Sequence, residues 1–338
     1  KLSSYKCKNC SYKKIVDIEY IYKLNIQITQ LYLRHMKRLS LLLFIIISTL
    51  CEGQELKTLD YPDSLIIKRR NAVIISESIA TISSLALLHE VWYKNYNTGK
   101  FHFFDDGKEW LQVDKMGHAM ASYYVGIAGI EALKWSGAKK NKATIWGGSL
   151  GLIYLTGVEF LDGYSDRWGF SGYDMLANTS GTALAIAQNL IWDEQRIKLK
   201  FSTHQSEFAA YRPNLLGSNF TERILKDYNG QTYWLSLNIK DFLKEESNFP
   251  SWLNVAIGYG AEQMVTGDVH ADWCLTNPIC DDLTRYRQFY LSLDADLSKI
   301  EYKRKFFKLL FGSFGFLKFP APTLEFSQNG IKGHLFYY

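Results

Sequence analysis

The chain of 338 residues contains 47% hydrophobic and 15% aromatic residues, and its formal net charge is +5. A positive charge this small and this evenly distributed argues against nucleic acid as a partner. The high aromatic content favours amphipathic surfaces at a membrane boundary over an ordinary cytosolic enzyme. The length is sufficient for two domains.

The first recognisable segment is a signal peptide at residues 36–53. Met36 and two basic residues precede an apolar run at 39–50, which is too short to cross about 30 Å of hydrocarbon. Small residues then precede Gln54, where we expect the mature chain to begin. The sequence therefore predicts export to the cell envelope.

The cysteines of the N-terminal region indicate little chemistry of their own. Residues 1–35 are expected to be an upstream extension or a translation artefact, and Cys7 and Cys10 lack the second pair that a zinc site needs. Lipid attachment to Cys51 is an alternative to cleavage of the leader. Leu50, however, stands where that reaction favours a small residue.

Four apolar helices are predicted within residues 54–200, the N-terminal domain. Each has close to the roughly 20 residues that cross a bilayer. Small-residue motifs such as Gly147-x-x-x-Gly151 let helix backbones approach closely. The pattern predicts an up-down, membrane-like four-helix bundle, with a buried soluble bundle as the alternative. The helices are predicted at 72–93, 113–135, 142–161 and 171–192.

The charges of the loops indicate which membrane is involved. Basic clusters at 68–70, 139–142 and 196–200 fall at one end of such a bundle, and acidic residues at 105–106 and 162–166 fall at the other. With a cleaved leader, the basic end lies in the periplasm, contrary to the positive-inside rule for inner-membrane proteins. Unless the leader is retained, we expect the outer membrane or its periplasmic face.

Residues 201–338 change to a period of two, which predicts an antiparallel β domain and an α+β fold for the whole chain. Asn329-Gly330 is typical of a tight hairpin turn. Five strands are too few for a closed membrane barrel, which needs about eight. They are predicted at 233–239, 253–259, 289–297, 324–326 and 334–338.

Two further features of this domain leave alternatives open. Basic and aromatic residues alternate along 299–318, which predicts a basic amphipathic helix that lies on a membrane surface or packs on the sheet. Cys274 and Cys280 either close a small disulfide loop in an oxidising periplasm or remain two buried thiols.

Three of the predicted helices each carry two polar residues spaced by three or four, on one helix face. In an up-down bundle these pairs meet at one end, where the first helix ends with His89 and Glu90. Ionisable groups at membrane depth are costly, so their convergence predicts a functional site. The pairs are Asp114 with His118, Glu159 with Asp162, and Asp174 with Asn178.

Each of these residues alone also has an ordinary structural interpretation. Asp114 has the position of a helix N-cap, and Ser171 with Asp174 has capping-box spacing. Asp162 before a glycine is typical of a helix end, and a lone His118 is typical of a hydrogen-bonded core histidine. The occurrence of all of them at one end of a bundle favours a site.

The order of these motifs resembles an uncharacterised family described as predicted periplasmic lipoproteins, YfiM-like, and more loosely the VanZ-like membrane proteins. The C-terminal half resembles the extension of Bacteroidetes-type members. The resemblance covers about residues 110–192 and implies an envelope location but no established reaction. Its motifs are Asp114-Lys115-x-x-His118, Glu159 with Asp162-Gly163, Ser171-x-x-Asp174 and Asn178-x-x-Gly181.

The first functional hypothesis is a membrane-associated enzyme or ligand-binding protein that acts on a lipid head group or a cell-wall fragment. Glu159 would be the general base, with His118 and Asp174 completing the catalytic set. The supporting residues would be Asp114, Lys115, Asp162, Asn178 and Ser171. A magnesium, calcium or manganese ion is a candidate cofactor, with ligands from His118, Asp114, Glu159 and Asp162.

The second hypothesis is a non-catalytic envelope scaffold, in which the polar cluster satisfies itself and the C-terminal sheet recruits an envelope protein. The sequence carries no nucleophile elbow, phosphate-binding glycine loop or nucleotide fingerprint, which favours this alternative. In both hypotheses membrane lipid is an expected partner.

Overall fold

The computed structural model describes residues 61–337, apart from 95, 97–98, 269, 301–310 and 313. The predicted extension, the leader with Cys51, and most of the predicted basic helix lie outside the described residues. Helices form the N-terminal half and an antiparallel sheet forms the C-terminal half. The predicted α+β class is confirmed.

Four long helices occupy the predicted places to within a few residues. The third of them is preceded directly by the short helical segments Lys140–Lys142 and Ala143–Gly147, which extend it toward the N-terminus. The four are α1, Ile67–Leu88, which continues as a π-helical turn at His89–Tyr93; α2, Val113–Trp135; α3, Gly148–Gly163; and α4, Gly172–Trp192.

Three of these helices share one core. A Cβ atom added to Gly129, Gly151 or Gly181 would collide with the backbone of a facing helix, so α2, α3 and α4 approach to glycine distance. In contrast, the only buried residue of α1 is Val73, and all five of its isoleucines are exposed. A bundle with one core common to all four helices is therefore not confirmed.

Two of the described helical stretches, Ile67–Leu88 and Lys140–Gly163, are long and apolar enough to cross a membrane. Length and composition do not separate such helices from the core helices of soluble proteins. Membrane embedding of the helices therefore stays a prediction.

The sheet is a meander of six antiparallel strands in chain order, and it contains every predicted strand. The predicted hairpin is present, with Ser327 paired to Gly330 and the glycine in the positive-φ region. The strands are β1, Ile197–Thr203; β2, Gln231–Asn238; β3, Leu253–Glu262; β4, Tyr286–Ala295; β5, Ala321–Ser327; and β6, Gly330–Tyr337.

The first strand corrects one sequence interpretation. The charge pattern predicts that Lys198 and Lys200 belong to a basic loop at the end of the bundle, but they lie in β1 and are buried. Their alternation with Ile197, Leu199 and Phe201 places them on the inner face of the sheet. They therefore carry no information about membrane orientation.

Short elements connect the strands, and one connection is covalently closed. Cys274 and Cys280 form a disulfide, as one of the two alternatives predicted. The short helices are Glu109–Gln112, Phe208–Ala210, Pro213–Leu216, Phe220–Lys226, Tyr228–Gly230, Lys240–Phe242, Asp272–Leu275, Ile279–Asp282 and Leu297–Lys299.

Helix α2 joins the two halves of the fold. Tyr123 donates a hydrogen bond to the backbone oxygen of Ile197 at 3.1 Å, and Tyr124 donates to that of Leu199. These tyrosines lie in the middle of α2, and at its N-terminus Val113 packs with Ala261 and Met264 from the end of β3 and the loop after it. The sheet therefore fixes the position of the helix that carries His118.

Candidate polar site at the end of the helices

The chain enters α2 through a strained turn. Trp110, Leu111 and Gln112 all have positive φ angles, which cost non-glycine residues on the order of 1–3 kcal/mol each. The sheet domain holds this turn, because Tyr259 donates to the Leu111 oxygen and Arg287 donates to the Gln112 side chain at 2.6 Å. These contacts with the sheet domain hold the strained turn and so position the first turn of α2, which carries residues of the site.

Lys115 is the centre of a carboxylate cage. Its Nζ atom lies 2.5 Å from Asp106 Oδ2, 2.7 Å from Asp114 Oδ2 and 2.9 Å from Asp174 Oδ1, and its side chain is 7% exposed. A buried ammonium group requires such partners because desolvation is costly. This half of the site therefore already contains its own cation.

In the sequence, Asp106 belongs to an acidic loop and carries no motif that predicts a place in the site. It reaches the cage because Phe103–Phe104 pairs in parallel with Phe170–Ser171 and draws its loop over the start of α4. Ser171 donates a hydrogen bond to Asp106 Oδ1 and also caps α4, accepting from the backbone N–H of Tyr173 and Asp174. The predicted capping role of Ser171 is confirmed.

The second half of the site contains His118, Glu159 and Asp174, which come from three different helices. His118 Nδ1 lies 3.4 Å from Glu159 Oε1, and Nε2 lies 3.8 Å from Asp174 Oδ1. Nδ1 is also 3.2 Å from Asn178 Oδ1. The Glu159 side chain is completely buried, and its Oε2 atom accepts a hydrogen bond from the Ser171 backbone.

The hydrogen bond to Asn178 assigns the protonation of the imidazole. Asn178 Oδ1 can only accept, so Nδ1 carries the hydrogen and Nε2 keeps its lone pair. That lone pair faces Asp174 Oδ1, which is itself an acceptor. Two acceptors that face each other in a buried site require a proton or a cation between them, and the Lys115 ammonium lies 2.9 Å from the same Asp174 oxygen.

Several buried polar atoms of this site have no hydrogen-bond partner within the described part of the chain. Asp174 Oδ1 has a charged partner, because it lies 2.9 Å from the ammonium group of Lys115, but other atoms of the site have no partner among the described residues. A buried group without a partner costs about 1–3 kcal/mol, so such groups need an explanation. The atoms are Asp114 Oδ1, Glu159 Oε1, Asn178 Nδ2 and Thr182 Oγ1.

The pKa values reflect this crowding. Burial, together with Asp174 and Asp162, raises the pKa of Glu159 to about 9. Burial and the charge of Lys115 lower the pKa of His118 to about 4, so the ring is neutral near pH 7. Burial alone would lower the pKa of Lys115. The surrounding carboxylates, led by Asp114, outweigh this effect together, so the pKa lies above its usual value.

The predicted residue Asp162 lies apart from this cluster. Its carboxylate accepts a hydrogen bond from Tyr93 at 2.8 Å, and burial raises its pKa to about 7. Tyr93 lines a cleft of about 380 Å³ together with His89, Gly99, Leu161, Tyr164 and Ser165. Glu90, which the sequence places at the same end of the bundle, does not join the cluster but pairs with Lys94 on the surface.

Two groups of described residues have the spacing of cation ligands, with one ligand atom from each residue within 4.8 Å of the others. Asp106, Asp114 and Asp174 form the first, which surrounds Lys115. His118, Glu159 and Asp174 form the second. Neither group contains Asp162.

Residues 102–190 match the model of a family described as predicted periplasmic lipoprotein (DUF2279). The matched stretch is about a quarter of the chain and contains both halves of the site. The description supports an uncharacterised family of periplasmic lipoproteins and confirms the predicted location in the cell envelope. No curated protein and no solved structure shows a significant match.

Proposed function

We propose that the protein binds a divalent cation between His118, Glu159 and Asp174 and uses it to hold an anionic group of an envelope molecule. A lipid head group or a cell-wall fragment supplies such a group as phosphate or carboxylate. The observation that carries this proposal is the completely buried Glu159, whose Oε1 atom faces the site without a hydrogen-bond partner in the described chain.

The donor set supports a cation of the manganese or magnesium class. Two carboxylates and one neutral imidazole provide hard oxygen ligands with a single nitrogen. The hydrogen bond from His118 to Asn178 orients the ring in the way that outer partners orient metal-binding histidines. The separation of the ligand atoms allows one ion to touch all three residues.

Charge balance supports the same conclusion. Lys115 is the cation of its own half of the site, where it contacts Asp106, Asp114 and Asp174. Glu159 has no contact with it among the described ion pairs. A divalent ion beside Glu159 and Asp174 offsets their repulsion, which otherwise keeps protons on these groups.

The burial of Glu159 favours a role as a ligand over the role of general base, because a base must reach its substrate. His118 is the more accessible group, with 22% of its side chain exposed. The cleft beside Tyr93 and Asp162 offers space for the rest of a bound molecule.

We also propose the finer relations predicted from the sequence. The motif order favours YfiM-like relatives within the lipoprotein family, with a helical domain predicted at 54–200 and a sheet domain predicted at 201–338, although the first strand of the sheet begins at Ile197.

A titration with Mn²⁺ followed by electron paramagnetic resonance tests the cation. We expect the signal of free Mn²⁺ to fall with one site per chain, Mg²⁺ to compete, and His118→Ala to weaken binding. His334→Ala is the matched control, because His334 pairs with Glu325 in the sheet and should leave binding unchanged. A folded protein that binds no Mn²⁺ would support the scaffold hypothesis.

A second measurement tests the anion. With Mn²⁺ bound, the ³¹P signal of glycerol phosphate should broaden in the wild type and not in His118→Ala. Broadening that is equal in both variants would mean that phosphate does not meet the proposed ion.

A further inference from the structure

The two faces of the sheet differ in polarity: the buried, inner face carries polar and charged side chains, and the outer face carries exposed apolar side chains. On the inner face, Lys200 pairs with Asp294 at 2.6 Å, and Ser236 donates to the same carboxylate at 2.6 Å. Glu325 pairs with His334 at 2.8 Å. On the outer face, Ile257 is 59% exposed and Leu291 is 44% exposed. In water, this arrangement is the reverse of what the hydrophobic effect favours.

The outer residues form rows across the sheet, because the strand register aligns them. Within β1 to β5, one row is entirely aromatic and the next two are entirely aliphatic. The rows are Phe201, Tyr233, Tyr259, Phe289 and Phe326; then Leu199, Leu235, Ile257, Leu291 and Leu324; then Ile197, Leu237, Val255 and Leu293. No position in the three rows is charged.

Helix α2 covers only one side of this surface. Tyr124 of α2 and Leu199 of β1 pack against the same buried cluster, whereas Ile257, Leu291, Leu293 and Leu324 of β3, β4 and β5 are exposed. An exposed apolar patch of this kind marks an interaction with a protein or a membrane.

We propose that the outer face of β3, β4 and β5 is immersed in lipid, with the aliphatic rows among the acyl chains and the aromatic row at the head groups. The order of the rows carries this assignment. Tyrosine and other aromatic residues collect at the lipid–water boundary, and aliphatic residues fill the hydrocarbon beyond it. Arg287 lies just outside the aromatic row, where it donates to Tyr259 at 3.1 Å and can meet anionic head groups.

The depth of the apolar band fits one leaflet. Phe289 and Leu293 are four residues apart, which is about 13 Å along a strand. One leaflet of a hydrocarbon core about 30 Å thick has a similar depth. The envelope location of the chain places a membrane within reach.

The composition of the surface disfavours a protein partner. Centres of protein interfaces are enriched in tryptophan, tyrosine and arginine. Here the centre consists of Ile257, Leu291 and Leu324, and the aromatic residues lie along one edge.

Photo-crosslinking in intact cells tests this surface with the full chain. A benzophenone side chain is incorporated in place of Leu291 or Leu324 in the aliphatic row, or Phe326 in the aromatic row. Leu225 and Leu275 are matched controls, because they are 64% and 80% exposed but lie outside the sheet. After irradiation, mass spectrometry identifies what is attached to the chain.

We expect phospholipid adducts at the two aliphatic positions and none above background at the controls. The attachment at Phe326 should lie nearer the glycerol than the attachment at Leu291. A covalent dimer, an adduct with another protein, or the absence of lipid adducts would overturn the proposal. The cation site is unaltered in all these variants, so the result is independent of the function proposed for it.

Discussion

The helical site and the interior of the sheet both bury charged groups, but they differ in whether those groups are paired. In the sheet, Asp294 accepts from Ser236 and pairs with Lys200, and the fully buried Asp296 pairs with Lys198 at 2.7 Å. In the helical site, Glu159 is equally buried, yet one of its oxygens has no hydrogen-bond partner among the described residues.

The difference in pairing indicates a structural role for the charges of the sheet and a binding role for those of the helical site. A buried network in which each charge is matched stabilises one arrangement of the chain. A network with free acceptors is costly unless a ligand completes it. The same kinds of residue therefore have different consequences, and substitutions in the two regions should change different measurements.

The largest effect is expected from Lys200→Met in the sheet. It leaves Asp294 without its closest cation, and breaking a buried ion pair costs about 3–5 kcal/mol of unfolding free energy. Urea unfolding followed by circular dichroism measures the loss. Lys332→Met, on an exposed lysine of β6, is the control and should change stability by less than about 0.5 kcal/mol. Equal effects of the two substitutions would contradict a tightly paired interior.

In contrast to Lys200→Met, Glu159→Gln should weaken Mn²⁺ binding without lowering stability. The unfolding free energy without metal should be unchanged or higher, because the amide removes a carboxylate from a crowded group. Mn²⁺ affinity should fall more than about 100-fold, beyond the 10–100-fold that is typical for outer partners. Glu131→Gln, at a partly buried glutamate that pairs with Lys134 at 3.3 Å, is the control. Lost stability with intact Mn²⁺ binding would show that the cluster is a structural network.

Asn178→Ala should have an intermediate effect, since Asn178 orients His118 but does not belong to the proposed ligands. We expect Mn²⁺ affinity to fall by about 10–100-fold. Asn189→Ala is matched in burial and lies on the same helix, where Asn189 donates to Thr144 at 2.6 Å. It should lower stability and leave Mn²⁺ affinity unchanged, whereas a similar loss of affinity in both variants would count against the orienting role.

Much of the helical half could be predicted from the sequence, because its signals are local. Apolar segments of about 20 residues indicate helices, and polar residues three or four apart on several helices indicate which ends converge. On this basis His118, Glu159, Asp174 and Asn178 were expected to meet, and the structure brings them together.

The features that were missed depend on contacts between distant segments. Asp106 joins the cage only because two short strands pair across the loop before α2. Lys198 and Lys200 have the sequence pattern of a solvated basic loop, and only pairing with Asp294 and Asp296 makes their burial favourable. Charge alone does not reveal which partners a fold supplies.

The smallest effect is a difference in pH dependence between the two regions, measured in metal-free protein. The pKa of Glu159 is raised from 4.5 to about 9, so its stabilising contribution is complete below pH 4.5 and is lost as pH rises through about 9. The wild type should therefore lose unfolding free energy relative to Glu159→Gln across this range. Asp296 behaves in the opposite sense. Although burial alone would raise its pKa, Lys198 and Lys200 lower it below 3.8, so its contribution is present above that value and is lost only in acid.

Urea unfolding of the wild type, Glu159→Gln and Asp296→Asn between pH 4.5 and 9 checks both signs. The difference in unfolding free energy between the wild type and Asp296→Asn should stay constant between pH 4.5 and 9, because Asp296 remains ionised throughout this range. Saturating Mn²⁺ should flatten the slope that Glu159 causes, because a bound cation favours the ionised carboxylate. A slope that Mn²⁺ leaves unchanged would separate the titration of Glu159 from the proposed ion, since an ion bound to that carboxylate must compete with its proton.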